Sequence, residues 1–374
     1  MEGGRLMELT RTVERTTRPV SFDFLGRLAE FRERLEPELA GFFARKRAEV
    51  ALEPEGLELV EEVQRLITSG GKRLRPALVY YTYRACGGET DADVLPLAMS
   101  TELLHTYLLI HDDIMDHSEV RRGQAAAHAR FREKHIESRY GGDAGDFGRS
   151  VAILLGDLAH TWAVELYATV RTPPGNEALD RAFSRMCEEV IRGQYLEMLL
   201  PHNADPGEDR LLRALRLKSG RYSVERPIEL GALLAGVSAV ELVWLGTYGR
   251  AIGEAFQLHD DILGTFGDAS AVGKPVGSDL MEGKYTFLIH HALRRAAPEE
   301  GRELRALLGR PDLDADQVER GRDIIRETGG LAAVQEMIGG RLEEARAALD
   351  SASLGDEGRA FLGGLIDYSR RRDR

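Results

Sequence analysis

Cysteine is almost missing from this chain. The only two, Cys86 and Cys187, lie far apart and outside any Cys-x-x-Cys or Cys/His grouping, which excludes a disulfide framework and a zinc site and suits a reducing cytoplasm. Long apolar runs are missing too. The oiliest windows, Val151 to Val170 and Ile228 to Leu245, are broken by Asp157, His160 and Glu165 or by Glu229 and Glu241. Neither offers the ~20 uninterrupted apolar residues of a membrane span. The opening MEGGRLMELTRTVERTTRPV lacks the apolar core of a signal peptide. Positive charge is the scarcer sign, with 50 Lys and Arg against 62 Asp and Glu and a formal net charge of −12. That balance argues against broad binding to nucleic acid or to an anionic membrane, so any anionic ligand must be held by local basic clusters. No Pro/Ser/Gly-rich linker or block of like charge divides the 374 residues. We therefore expect one domain over 1–374, with residues 1–20 a loosely ordered extension and 370–374 a solvated tail.

What is present is helix-forming. The chain is 43% hydrophobic and 30% charged, rich in Leu, Ala, Glu and Arg, with apolar residues three and four apart and little strict alternation. The fold class is all-α. Helices are expected at about 21–51, 57–69, 75–86, 92–117, 124–137, 147–170, 176–200, 208–236, 239–264 and 279–296, with shorter ones to about 369. The segment 239–264 is apolar on more than one face and reads as central.

Two stretches within these helices are alike: LLIHDDIMD, Leu108 to Asp116, and FQLHDDILG, Phe256 to Gly264. At about 100° per residue, Asp112 and Asp116 sit roughly 40° apart with Asp113 beside them. Carboxylates crowded among Leu and Ile are costly and repel one another, so a positive partner is required. Hard oxygen donors suit Mg²⁺, completed by water and phosphate oxygens. A single such pair reads equally as a capping or surface cluster; the repeat in Asp260 and Asp261 favours a shared cation. Basic residues beside glycine point the same way: Lys72, Arg73 and Arg75 in SGGKRLRP, Arg121 and Arg122 in RRG, Lys218 in KSG, and Lys274 and Lys284 in two GK pairs. Glycine admits close backbone approach to an anion, and Arg or Lys supplies charge-assisted hydrogen bonds. GSDLMEGKY is not a Walker A loop, because five residues separate its glycines and Tyr285 follows the lysine. There is no HExxH, GxSxG or GxGxxG.

From Gly70 to Lys284 these segments, in order GGKRLRP, ELLHTYLLIHDDIMDHSEVRRG, AILLGD, GQYLE, KSGRY, FQLHDDIL and GKPVGSDLMEGKYT, resemble the trans-isoprenyl diphosphate synthases, or polyprenyl synthetases. The resemblance implies a bundle of a dozen or more helices around a deep central cavity, a homodimer, and Mg²⁺-dependent condensation of isopentenyl diphosphate with an allylic diphosphate. By position, it implies that Asp112, Asp113, Asp116, Asp260 and Asp261 hold Mg²⁺, about three ions per site. Arg121, Lys218 and Lys274 then correspond to contacts of the allylic diphosphate. Lys72, Arg75, His105 and Arg122 correspond to the pocket for isopentenyl diphosphate, and Lys284 to a second lysine near the diphosphates. Gln257 corresponds to a polar group beside the reacting carbons, with Gln194 near the allylic site. His105 reads otherwise as a satisfied core histidine, and His111 and His259 have no assigned role.

Three positions depart from the family pattern. Ser219 stands for threonine and Glu197 for aspartate, each keeping its functional group. Gly264 stands for the third aspartate of the second motif, where water or substrate oxygen is expected to fill in, so that an aspartate restored there would change turnover little.

In the family, residues about one turn before the first motif floor the chain pocket. Tyr107 and Leu108 hold those places, so the resemblance is to geranylgeranyl (C20) synthases, with farnesyl (C15) as the alternative; Tyr107 reads otherwise as a packed core aromatic. A class I terpene cyclase would carry an Asn/Ser/Glu metal motif instead, and a non-catalytic partner subunit would have damaged aspartates or missing lysines. Neither feature is seen.

Overall fold

Helix dominates the computed structural model, which describes residues 23–171, 176–203, 205–267 and 277–371. In chain order the elements are α1 (Phe24–Glu49), α2 (Pro54–Thr68), α3 (Leu74–Ala85), α4 (Asp91–Met115), β1 (Val120–Arg121), β2 (Gln124–Ala125), α5 (Ala127–Glu137), α6 (Ala144–Ala168), α7 (Glu177–Leu199), α8 (Glu208–Leu215), a π-helical segment Arg216–Glu225, α9 (Arg226–Leu234) and α10 (Ala239–Phe266). After these come α11 (Ser278–Glu282), α12 (Phe287–Arg295), α13 (Pro298–Leu307), α14 (Ala315–Glu327), α15 (Gly330–Ser351) and α16 (Asp356–Arg371). The all-α class is as expected, and the proposed extension 1–20 lies outside the described residues.

The departures have local causes. Residues 120–125 form a hairpin where a helix was expected to begin at 124: Val120 pairs with Ala125 and Arg121 with Gln124, leaving Arg122 and Gly123 as a two-residue turn. Both have positive φ, 52° and 73°, as a type I′ turn requires. The helix expected over 208–236 is one rod with a π-helical middle. Widened turns of this kind are frequent at functional sites. The helix expected over 279–296 breaks at Gly283, whose φ of 73° closes α11. Finally, α16 runs on to Arg371, so the first two residues of the expected tail, Arg370 and Arg371, are exposed but helical, and just before them Tyr368 packs on Phe24 with ring centroids 5.2 Å apart.

α10 is central, as its composition suggests. Ser238 caps it through a capping box with Glu241, and it packs along α15 and the π-helical segment. Its fully buried Tyr248 donates to the Leu362 carbonyl at 2.7 Å, tying α10 to α16. α4 is buried on several sides and packs along α6 and α3. Among the described helices α6 alone is long and apolar enough to cross a membrane by length and composition; it lies along α4 and α5. Its outer face leaves Ile153, Leu154 and Val164 exposed.

Arg73 belongs to this framework rather than to an anion pocket. At φ 53° it caps the start of α3, with its side chain 1% exposed against Glu102 of α4, 4% exposed, at 2.7 Å. It also reaches Glu36 of α1 at 3.1 Å and donates to the Ile67 and Gly70 carbonyls at 2.7 and 3.1 Å. The pair thus ties the loop after α2 to α1 and α4. Removing one partner leaves a buried charge uncompensated, so Glu102→Ala is expected to cost about 3–5 kcal/mol of stability in chemical denaturation. A loss under 1 kcal/mol would show that the pair is not what holds this loop.

Candidate active site

The loop before α3, α4, the hairpin, α7, the π-helical segment, α10 and the region after it surround one cavity of about 840 Å³. Such a volume is within the range of ligand sites. Its wall includes Asp112 on one side and Asp260 and Asp261 on the other, so the two acidic helices face the same space. Apolar residues make up much of the remaining wall, Leu108, Val190, Ile191, Ala214 and Phe256 among them.

The first acidic helix is held by cations from separate elements. On the hairpin, Arg121 Nε donates to Asp113 Oδ1 at 2.8 Å, and its Nη2 lies 3.4 Å from Asp112 Oδ2. From the π-helical segment, Lys218 Nζ lies 3.2 Å from Asp112 Oδ1 and also pairs with Glu197 of α7. Burial pushes the Asp112 carboxyl up, but Lys218, Lys284 and Arg121 together outweigh it and the carboxyl sits below its usual range. Asp116 goes the other way: burial and the neighbouring Asp112 raise it against the pull of Lys284. Asp113 does not reach the cavity wall; it is buried against Arg121. Asp112 and Asp113 thus share Arg121, while Asp116 faces Lys284.

On the second acidic helix, Gln257 Nε2 donates to Asp261 Oδ1 at 2.8 Å. Burial, then the nearby Asp279, raise the Asp261 carboxyl well above its usual value. Lys284 lies 3.7 Å from Asp116 Oδ2, 3.7 Å from Asp279 Oδ1 and 3.0 Å from Glu282 Oε2. Burial opposes its charge, but Asp279, Asp116, Glu197 and Glu282 hold its ammonium protonated far above the usual value. Asp279 was not singled out in the sequence. It fills the space beside Gly264 where water or substrate oxygen was expected.

A second basic cluster sits apart from the acidic helices. Gly70 and Gly71, at φ 122° and 113°, bend the loop so that the Arg122 guanidinium lies over Gly71, and Arg122 Nη1 donates to the Gly70 carbonyl at 2.5 Å. A Cβ at 71 would lie 2.9 Å from Arg122 Nη2, so the second glycine of GGKRLRP makes room for that arginine. Arg73 and Arg122 take positive φ beside this cluster. Each costs on the order of 1 kcal/mol for a residue with a Cβ and persists because the surroundings dictate it. Arg75 Nη2 donates to the Tyr222 hydroxyl and the Ser223 hydroxyl, each at 2.7 Å, and Tyr222 Oη lies 3.3 Å from His105 Nδ1. Lys72 pairs with the Tyr368 hydroxyl, bringing α16 to the mouth. Ser219, Gln194 and Gln257 line the cavity, whereas Lys274 lies outside the described residues.

Tyr107 lines the cavity and packs edge-on against His111 and His160, with centroids 4.8 and 5.1 Å away. His111 Nε2 also lies 3.1 Å from the Ile153 carbonyl oxygen, so this histidine braces α4 on α6. His259 is buried in α10.

The donor set fits a hard divalent cation. Carboxylate oxygens from both acidic helices share the cavity, Asp116 Oδ2 is buried with no hydrogen-bond partner, and Asp261 carries a strongly penalised charge. Among the described residues no three such side chains already converge on one point, which matches their present pairing with lysine and arginine. Tyr222 and Asp279 lie within the KSGRY and GSDLMEGKYT segments but were given no role from the sequence, because only packing shows what each side chain meets.

His105 is held neutral, well below its usual pKa, by burial first and then by Arg75, Arg122, Arg121 and Arg73. An unfolded chain takes up a proton at this histidine below about pH 6.5 that the folded chain refuses, so stability is full above that pH and falls below it. Melting temperatures between pH 5 and 8 are expected to fall with acid, with a shallower slope for His105→Gln. An unchanged slope would show that His105 is charged in the folded protein.

Residues 57–325 match the polyprenyl synthetase family. The chain is 38% identical to geranylfarnesyl diphosphate synthase of Aeropyrum pernix over 81% of its own length and 91% of that protein. It is 34% identical to geranylgeranyl diphosphate synthase of Methanosarcina mazei over 78% and 83%. A crystal structure of geranylgeranyl pyrophosphate synthase from Corynebacterium glutamicum, complexed with isoprenyl diphosphate and magnesium, superposes with a TM-score of 0.86 at 34% identity, covering 94% of this chain and 99% of that one. With matches of this extent over facing acidic helices and a basic mouth, the chain belongs to the polyprenyl synthetase family and is a trans-prenyltransferase.

Proposed function

We propose that this enzyme condenses isopentenyl diphosphate with allylic diphosphates to make geranylgeranyl diphosphate (C20), using Mg²⁺ held by Asp112, Asp116, Asp260 and Asp261, with Asp113 anchoring Arg121 behind them. The observation that carries the reading is a single cavity lined by acidic residues of two helices, a separate basic cluster and apolar side chains.

Mg²⁺, when bound, supplies positive charge where the departing pyrophosphate develops negative charge. The chain's own cations add to it: Lys218 and Lys284 lie at the acidic rim, with Arg121 behind it and Lys274 assigned there by family position. As the allylic C–O bond breaks, its electron pair leaves with pyrophosphate and a carbocation remains. The apolar walls keep water from it. Lys72, Arg75, His105 and Arg122 hold the diphosphate of isopentenyl diphosphate so that its double bond attacks the cation. A carbon–carbon bond forms, and one proton leaves to released pyrophosphate. Gln257 and Ser219 line the same cavity, which supports Gln257 as the polar group beside the reacting carbons and Ser219 as a substrate contact. A neutral His105 suits this pocket, since it can accept from Tyr222 while the guanidinium of Arg75 carries the charge.

Chain length is set by Tyr107 and Leu108. The Tyr107 ring is braced by His111 and His160, so a lengthening prenyl chain meets a fixed aromatic wall. The kinship to enzymes named for C20 and C25 products supports a pocket of this order.

The same reading includes a homodimer. Ile191, Tyr195 and Met198 of α7 line the cavity yet are 52%, 66% and 51% exposed, and α6 exposes Ile153 and Leu154. A second copy seated there would close the apolar wall, which an isolated chain leaves open to water. Cys86 and Cys187 are free thiols, which supports a reducing, cytoplasmic setting.

Purified protein with Mg²⁺, isopentenyl diphosphate and dimethylallyl, geranyl or farnesyl diphosphate is expected to yield mainly C20 product by mass spectrometry of the dephosphorylated alcohols. No elongation from any of the three primers would end the reading, and a C15 end product would correct the chain length. Asp112→Ala is expected to lower kcat at least about 100-fold, the scale of losing an electrostatic contact to a developing charge. Tyr107→Ala is expected to shift the products to longer chains, and an unchanged distribution would remove Tyr107 as the gauge.

A further inference from the structure

Gly264 follows Asp260 by one helical turn, so the two positions share a face of α10. A carboxyl at 264 would stand beside Asp260 at the cavity wall. Position 264 has no side chain, yet the space it leaves is filled by a carboxylate from another element. A Cβ placed on Gly264 would overlap the Asp279 carboxyl group, with Cγ only 2.5 Å and Oδ1 2.7 Å away. Asp279 sits in the first turn of α11, is 8% exposed, and lines the same cavity as Asp260, Asp261 and Gly264. Lys284, 3.7 Å from Asp279 Oδ1, is equally close to Asp116 Oδ2, so the Asp279 carboxylate and the first acidic helix share one ammonium.

We infer that Asp279 is the third carboxylate of the second acidic cluster, reaching from α11 into the volume that an aspartate at 264 would use and serving the divalent cation in its place. The inference rests on the reading of the acidic helices as cation ligands given above. Gly264 and Asp279 then form a matched pair, since no side chain at 264 fits while Asp279 keeps its position. The expectation that Gly264→Asp would be mild is thereby reversed: two carboxylates would compete for one volume, with steric overlap and like-charge repulsion together. A second consequence is mechanical. The cluster is divided between α10 and α11, so loading the cation also fixes α11 and, through Asp279, the Lys284 ammonium.

The test is cation binding by the full chain, with Mn²⁺ as probe in the presence of inorganic pyrophosphate, free Mn²⁺ being read by electron paramagnetic resonance and folding by the metal-free melting temperature. Asp279→Asn, which keeps shape and loses charge, is expected to bind Mn²⁺ about 10-fold more weakly or worse while melting like the parent without metal. Asp279→Ala is expected to show the same defect, and the double variant Gly264→Asp with Asp279→Ala, which moves the carboxylate back onto α10, to recover most of the affinity. Gly264→Asp alone is expected to lose affinity. Parent-like Mn²⁺ binding by Asp279→Asn overturns the inference, as does a double variant no better than Asp279→Ala. Asp112→Asn and Asp260→Asn serve as references. If these lose Mn²⁺ and Asp279→Asn does not, only this inference falls; if these also keep parent-like affinity, the acidic helices do not hold the cation and the underlying reading falls with it.

Discussion

Everything at the mouth of this cavity depends on keeping buried carboxylates in the company of positive charge. A carboxylate withdrawn from water into an apolar bundle loses several kcal/mol of hydration, and a second one beside it adds repulsion. The protein meets that cost with cations from different parts of the chain: Arg121 from the hairpin, Lys218 from the π-helical segment and Lys284 from the region after α11. The balance is uneven by construction. Asp112 is over-compensated and lies below the usual carboxylate range, while Asp116 and Asp261 are under-compensated and lie above it. In the proposed reading, a divalent cation held by these carboxylates would offset that imbalance.

In the proposed reaction, the same arrangement would give the two diphosphates two separate groups of cations. Arg75, Arg122 and Lys72 form a basic region around the Gly70–Gly71 bend, whereas the lysines of the acidic rim are already partnered with carboxylates. A diphosphate that must leave needs charge compensation that grows as the bond breaks. A diphosphate that must stay needs only to be held. Arg73, adjacent to both groups in sequence, does neither; it is spent on Glu102 and the loop carbonyls, and by doing so fixes the backbone that aims its neighbours.

Apolar surface complements charge. The lining combines charged side chains with apolar ones, and Tyr107 in that lining is held between two histidines. A reaction through a carbocation, as proposed, would need such apolar surface to keep water away. Leu108, one turn before Asp112, shares its face of α4, so a single helix contributes both kinds of lining.

Much of this was readable before any coordinates. The 3.6-residue periodicity specified helices, most within a few residues of their ends, because burial of one face is a local pattern repeated along the chain. The doubled aspartate segments and the glycine-flanked cations named most of the charged residues in the cavity wall, because each cluster is contiguous and its chemistry is unusual for a helix. Three things were decided only in three dimensions. The hairpin at 120–125 and the π-helical middle of 208–234 are irregularities set by packing, with no periodic signature of their own. The division of labour among Lys72, Arg73 and Arg75 depends on which way each side chain leaves the bend at Gly70 and Gly71, and spacing along the chain does not carry direction. The pairing of Gly264 with Asp279 joins residues of different helices, and a missing side chain acquires meaning only when the atom that fills its place is known.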